Sequence, residues 1–403
     1  LTLGTFGIIN TEMGVVGIIP QIAETFSVTV PQAGWTVSVF ALIVAISAPV
    51  MPMLFSGVNR RTMMLLALGL FTVSNLISML TDSFAALLVA RALPAFLHPV
   101  YVSMAFTVAA QSVGKEDAPK AVSRVFIGVS AGMVLGVPMT SFITSHTSFA
   151  VAMACFAAVN ALVLLRTLVC VPSMPVGERL SYRAQLGVLK KTLVWYSVIA
   201  FTLINGAMFG FFSFMSDYLN RVTGLGSDAV SALLLVYGVA NIAGNVLAGR
   251  LFPRHKQRYM IVIPVVMFSG YVLLFAFGET SIAAGLLILA LGLLAGFVSI
   301  VGQYMISNAA EEAPDFANGL FLTAANFGTM AGTALCGVFI SFAGTRYSLL
   351  GALLFLAASL LFVAGRHRIA RSHKKFETIE KEPHYEKDSY CSHAHASGNY
   401  GSH

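Results

Sequence analysis

Hydrophobic positions along this chain fall in long unbroken runs, not in the alternating or three-in-four rhythm of a water-soluble domain. Reading for apolar runs of about 18 or more residues gives twelve, near 2–22, 33–55, 63–81, 84–110, 121–145, 148–170, 193–217, 229–251, 259–278, 281–308, 317–342 and 346–365. About 20 apolar helical residues cross a bilayer core, so each run predicts a membrane-spanning helix. Short polar breaks separate them, such as 56–61, 81–83 and 224–228. The longest break, 171–192, carries Pro172, Pro175 and Gly177 and leaves six runs on either side. The expected architecture is all-α: a six-helix bundle over 1–170, a linker over 171–192, a second six-helix bundle over 193–365 and a polar tail over 366–403. Gly128, Gly132 and Gly136 in the fifth run and Gly328, Gly332 and Gly337 in the eleventh form an internal echo between the halves.

Composition supports the membrane reading. Hydrophobic residues make up 57% and charged residues 10%, against about 25% charged in an ordinary soluble domain. The 35 glycines suit close helix packing in lipid. The net charge of +7 changes meaning once the basic residues are placed. All Lys and Arg except Arg91, Arg221 and Arg346 fall in the tail or in loops on one side of the expected bilayer. Basic loops mark the cytoplasmic side, so both termini are expected there. Anionic lipid attracts such loops. Nucleic acid is not an expected partner, because its binding calls for a clustered solvent-exposed basic face. The cysteines, Cys155, Cys170, Cys336 and Cys391, show no paired spacing and imply no disulfide framework. No cleavable signal is evident, and a short stretch is expected to precede the first residue.

The tail holds His367, His373, His384, His393, His395 and His403. Its Cys391-Ser-His-Ala-His end has donor types that bind metals, yet a disordered tail or an appended tag is the plainer reading. No metal or cofactor is expected.

Glu12 is the charge of the first run. A charge near the bilayer centre costs at least about 2.5 kcal/mol and is usually functional. A low dielectric disfavours the ionised form of a carboxyl group, which lets it load and release a proton. Asn10 and Thr11 supply polar atoms beside it. Arg91 is the basic residue well inside a run. By depth at 1.5 Å per residue, it can form a charge or hydrogen-bond link to Glu12. His98 follows Arg91 by seven residues and shares its helix face. Histidine ordinarily titrates near neutral pH, which suits proton exchange with Glu12. Each of these also has a plainer structural reading: a packed carboxylate, a snorkelling arginine, a satisfied core histidine. The glycines at 128, 132 and 136 form a smooth face, and Pro138 adds a kink. The seventh run is aromatic and includes Phe209 and Phe212, which serve either as bulk or as a cavity wall. Asn205, Tyr237, Asn241, Gln303 and Asn326 are neutral hydrogen-bonders that together allow a polar, uncharged substrate cavity. No nucleophile–base pair or phosphate loop stands out, so an enzyme is not expected.

Four segments resemble the major facilitator superfamily, in its twelve-helix drug:proton antiporter branch and near its sugar-efflux, arabinose-efflux-like and nucleoside-efflux members. Asn10-Thr-Glu12-Met-Gly-Val-Val-Gly17-Ile-Ile-Pro20 resembles the first-helix motif, and Arg91-Ala-Leu-Pro-Ala-Phe-Leu-His98 the fourth-helix motif. Gly128 to Pro138 is similar to the fifth-helix antiporter motif, with Gly136-Val-Pro138 in place of adjacent Gly-Pro. The loop Pro52–Arg61 keeps the paired basic end, Arg60 and Arg61. It departs from the family at Pro52, where a glycine is usual, and at Ser56, where an aspartate is usual. The resemblance implies a monomeric proton-coupled exporter of a small organic molecule (drug, sugar or nucleoside) in the bacterial cytoplasmic membrane, working by alternating access. A proton-driven uptake symporter and a non-transporting membrane receptor on the same fold are the alternatives.

Overall fold

The computed structural model describes residues 1–55, 57–113, 118–174, 185–311 and 314–381. Among these, twelve helices are long and apolar enough to cross a membrane: Thr2–Thr25, Val30–Ser47, Arg60–Leu80, Phe84–Phe106, Ile127–His146, Phe149–Cys170, Thr192–Arg221, Ser227–Leu251, Lys256–Phe277, Ser281–Ala309, Phe316–Ala343 and Thr345–Ala370. They are spans 1 to 12 below. After an even number of crossings both chain ends lie on one face, the terminal face; the opposite one is the short-loop face. Three span starts on the short-loop face, those of spans 2, 4 and 6, are capped by side chains. Thr29 and Gln32 form a capping box, Ser83 accepts from the Ala86 N–H and Ser148 from the Val151 N–H, satisfying helix-start donors that have no partner within the helix.

Two spans expected to be continuous are broken. Span 1 runs as α-helix from Thr2 to Gly14, as 3-10 helix from Val15 to Ile18, and as α-helix again from Ile19 to Thr25. Pro20 offers no N–H to the Val16 carbonyl, which disfavours a regular α-helix at this point. Span 4 is α-helical over Phe84–Ala95 and again from His98 to Gln111. Pro94 removes a helix donor before the gap, and Pro99 sits in the first turn of the second half-helix, where its missing N–H costs nothing.

At the other end of the chain, the twelfth helix continues to Lys381. The polar stretch after 365 thus begins as helix. Arg366, expected in the exposed tail, is buried at 4%. Its guanidinium donates to Ser197 Oγ at 2.8 Å and to the Met305 carbonyl at 3.3 Å, which binds spans 7, 10 and 12 together. Of the linker, residues 175–184 lie outside the described residues, as do Ser56, Lys115 and the tail from 382 with its Cys391-Ser-His-Ala-His end.

Span 1 packs along span 5, span 7 along span 11, span 3 along span 6 and span 8 along span 10, while spans 2 and 11 and spans 5 and 8 meet across the two halves. The glycine echo explains two of these seams. A Cβ on Gly128 would strike the Thr2 carbonyl, and one on Gly328 the Thr202 carbonyl. The two pairs, Thr2/Gly128 and Thr202/Gly328, are offset by 200 residues, so one close-packed helix pair is built twice. Pro138 has a further effect. It leaves the Val134 carbonyl without its helix donor, and Gly238 of span 8 packs onto that carbonyl, a Cβ there lying 3.1 Å from the oxygen. Gly332→Val should therefore destabilise the purified protein by about 1–3 kcal/mol through overpacking. Gly249→Ala, with open space around it, should leave the midpoint of thermal unfolding equal or higher.

Candidate functional site

The two helix breaks face each other, and the sequence-predicted trio meets there. Glu12 sits two residues before the end of the first half-helix of span 1, and His98 opens the second half-helix of span 4. His98 Nε2 lies 3.0 Å from Glu12 Oε2, both side chains keeping about a tenth of their surface exposed. The approach is not aligned as a hydrogen bond: neither ring nitrogen has a hydrogen-bond partner among the described residues. The carboxylate thus lies beside the start of a half-helix, where the backbone dipole favours negative charge.

Arg91 does not pair with that carboxylate among the described residues. Its guanidinium donates to the carbonyls of Thr11 at 3.2 Å, Glu12 at 3.4 Å and Thr36 at 3.2 Å. Thr11 and Glu12 belong to the last turn of the helix ending at Gly14. Carbonyls in a last turn lack intrahelical donors, and a cation there is favoured by the macrodipole. Arg91 is therefore a cap on the break in span 1. The Phe40 ring packs beside both nitrogen-bearing side chains: it lies 5.1 Å from the Arg91 guanidinium carbon and 5.8 Å from the His98 ring.

The cavity candidates are dispersed. Thr11 accepts from Asn160 Nδ2 at 2.9 Å and from Asn75 Nδ2 at 3.5 Å, inside the first six spans. Asn10 is buried against Gly136, its Oδ1 without a partner among the described residues. Asn205 Nδ2 donates to the Ala325 carbonyl and to Thr329, tying span 7 to span 11. Phe212 stacks on Tyr237 at 4.7 Å, and Phe209 meets Phe212 edge-on at 6.0 Å. Asn245 Nδ2 donates to Asn241 one turn earlier, and Asn326 Nδ2 to the Leu322 carbonyl. Gln303 lies apart, in a groove at the terminal face. Arg61 donates to the Leu168 carbonyl at 2.6 Å and Asn59 Nδ2 to Ser173 Oγ at 2.6 Å, so the loop after span 2 is tied to the end of span 6.

Sequence reasoning missed Asp217, placed at the edge of its span and passed over as a membrane carboxylate. It is buried at 1%, with Oδ1 accepting from Arg221 Nε at 2.7 Å and Oδ2 from the Thr345 hydroxyl at 2.7 Å. The spacing of Asp217 and Arg221, one helical turn, was the available signal. Also on the short-loop face, Ser141 Oγ and Ser231 Oγ lie 2.9 Å apart, and His146 Nε2 lies 3.5 Å from Asp228 Oδ1. Both contacts join span 5 to span 8 across the halves.

A family model described as Major Facilitator Superfamily matches residues 1–315. The chain belongs to the major facilitator superfamily. It is a multi-pass inner-membrane transporter of small molecules, not an enzyme. It is 31% identical to an uncharacterized MFS-type transporter, YtbD, of Bacillus subtilis, over 90% of this chain and 93% of that one. It is 27% identical to the Escherichia coli inner membrane transport protein YdhP, over 91% and 95%, and 24% identical to a probable sugar efflux transporter of Helicobacter pylori, over 86% and 88%. Its fold is similar to the crystal structure of the nucleoside transporter NupG, with a TM-score of 0.74 at 14% identity, covering 91% of this chain and 98% of that one. Arg91→Gln should lower thermal stability by about 1–3 kcal/mol, because buried carbonyls lose their donors; a melt in detergent checks this.

Proposed function

We propose that this transporter exports a small organic molecule in exchange for protons. Glu12 is the coupling carboxyl group, His98 its proton partner, and Arg91 the group that holds the span 1 break open beside them. The observation that carries the reading is the 3.0 Å approach of His98 to Glu12 at the meeting of two discontinuous helices. Broken spans with half-helix ends aimed at one another are a recurring way to build a coupling site in secondary transporters. When Glu12 is ionised, His98 and the half-helix dipole favour it. Protonation removes the buried charge and its attraction to the start of span 4, which changes the relative energy of the two access states. Export is favoured by the probable sugar efflux transporter among the relatives. The positive-inside distribution supports cytoplasmic termini. The two bundles, 1–170 and 193–365, would then rock about the glycine seams, with 171–192 as the connection between them.

In this reading the contacts between Ser141 and Ser231 and between His146 and Asp228 close the short-loop face, on the side opposite the chain ends. Paired cysteines, Ser141→Cys with Ser231→Cys, should cross-link under mild oxidation and arrest transport until reduced. In liposomes carrying an internal pH dye, a panel of sugars, nucleosides and drugs should include a class that triggers proton movement in the wild type. Glu12→Gln should abolish that movement while inserting normally. Wild-type proton flux in Glu12→Gln would sink the assignment, and the sign of the pH change reads the direction of transport.

A further inference from the structure

The short-loop face is joined across the halves by two contacts of different chemistry. Ser141 and Ser231 are both hydroxyls, and either can donate to the other, so their contact needs no change of charge. His146 and Asp228 are less symmetrical. His146 lies in the last turn of span 5 and Asp228 in the first turn of span 8. The helix dipole favours a cation at the first place and an anion at the second.

The hydrogen bonds around the imidazole fix where its protons lie. The ring packs on Phe142 with centroids 4.2 Å apart. Its Nδ1 lies 3.0 Å from the Phe142 carbonyl, which can only accept. Nδ1 also lies 3.1 Å from Ser145 Oγ. That hydroxyl donates its own hydrogen to the Phe142 carbonyl at 2.9 Å and so turns a lone pair to the ring. Nδ1 therefore carries a hydrogen. A neutral imidazole has a single N–H, which leaves Nε2 as a bare lone pair. Nε2 is the atom 3.5 Å from Asp228 Oδ1, and a carboxylate oxygen only accepts. Two lone pairs repel, whereas a charged ring turns an N–H to the carboxylate and attracts it. The pair holds the halves together only as imidazolium with carboxylate.

No other acidic group lies within ion-pair distance of this ring among the described residues. Spans 1, 4, 6 and 8 pack against span 5. At this face span 1 brings Glu24, the turn before span 4 brings Asp82, and span 6 brings no charged side chain. The remaining charges here, Asp217 with Arg221 and Glu279 with Arg346, pair with each other.

We propose that His146 is a second proton-binding group of the transporter, set in the gate at the short-loop face and separate from Glu12. A proton taken from that side draws Asp228 in and closes the face. Its loss releases the two bundles there. This rests on the exchange cycle proposed above, in which the face opens for substrate to leave and for Glu12 to be loaded. Acid on that side then favours closing. The side chains are 47% and 78% exposed, and exposed ion pairs are weak, so the contact biases the gate without locking it.

The test is the distance across the short-loop face of the full-length protein in lipid nanodiscs. Spin labels at Thr25→Cys and Ser281→Cys report it, with Cys155, Cys170 and Cys391 replaced by serine and the buried Cys336 kept. Lowering the pH should raise the ratio of short- to long-distance populations about two- to fivefold. His146→Gln and Asp228→Asn should remove the response. His146→Lys, a cation throughout, should favour the short distance at every pH. Glu12→Gln should keep the response. A wild type whose distances ignore pH would overturn the gate. So would a response that persists in His146→Gln and disappears in Glu12→Gln, because it would then belong to Glu12. Undiminished proton flux in Glu12→Gln counts against the coupling site alone, since the labels report distance and not flux.

Discussion

Arg91 against the loose carbonyls of span 1 is the contact on which the site rests. A helix that stops inside a membrane leaves carbonyls with no water to satisfy them, and each unsatisfied group there costs several kcal/mol. Arg91 meets two such carbonyls on span 1 and a third, Thr36, on span 2. It therefore holds spans 1, 2 and 4 at a shared depth. The guanidinium is spent on backbone, which leaves the Glu12 carboxylate to face His98. Had Arg91 paired with the carboxylate directly, a permanent cation would hold it ionised. An imidazole, which exists in neutral and charged forms, is the more permissive neighbour.

Around this centre the packing is tight where glycine permits it. Span 1 lies against span 5 and span 7 against span 11 at backbone-to-backbone distance. In lipid there is little hydrophobic force between helices, so close packing and interhelical hydrogen bonds supply the attraction. The amides of Asn75, Asn160 and Asn205 do the second job. Of the amides that looked like substrate contacts, Asn205 ties span 7 to span 11 and Asn326 donates to a carbonyl of its own helix.

The spans were legible because an uncharged apolar run of about twenty residues matches the thickness of a bilayer core and little else. Glu12, Arg91 and His98 were legible because charge and imidazole are conspicuous there, and a seven-residue spacing returns to one helix face. The manner of their meeting was not. Prolines mark weak points in a helix without saying whether it kinks or stops, so the gap at residues 96–97 and the 3-10 turn at 15–18 emerged only in three dimensions. A charge or hydrogen-bond link between Glu12 and Arg91 was the expectation, and the link runs to the Glu12 backbone, since opposite charges are visible in a sequence and orphaned carbonyls are not. Asp217 and Arg366 were misplaced for a related reason: each sits where an apolar run ends, and hydropathy cannot distinguish a buried polar anchor from the first residue in water.

The 200-residue offset between the two glycine seams has a consequence for how such a molecule can change over generations. Carried along spans 1 and 7, the same offset puts Phe212 at the place of Glu12. Where one half carries a carboxylate beside an imidazole, its twin carries a phenyl ring stacked on Tyr237. The two copies of one packing scheme thus differ in content, with a carboxylate beside an imidazole in one and a pair of stacked rings in the other. Substitutions at Phe212 or Tyr237 remodel one copy without touching the ionisable groups of its sibling. Two copies of one packing scheme can therefore drift on separate genetic tracks within a single chain.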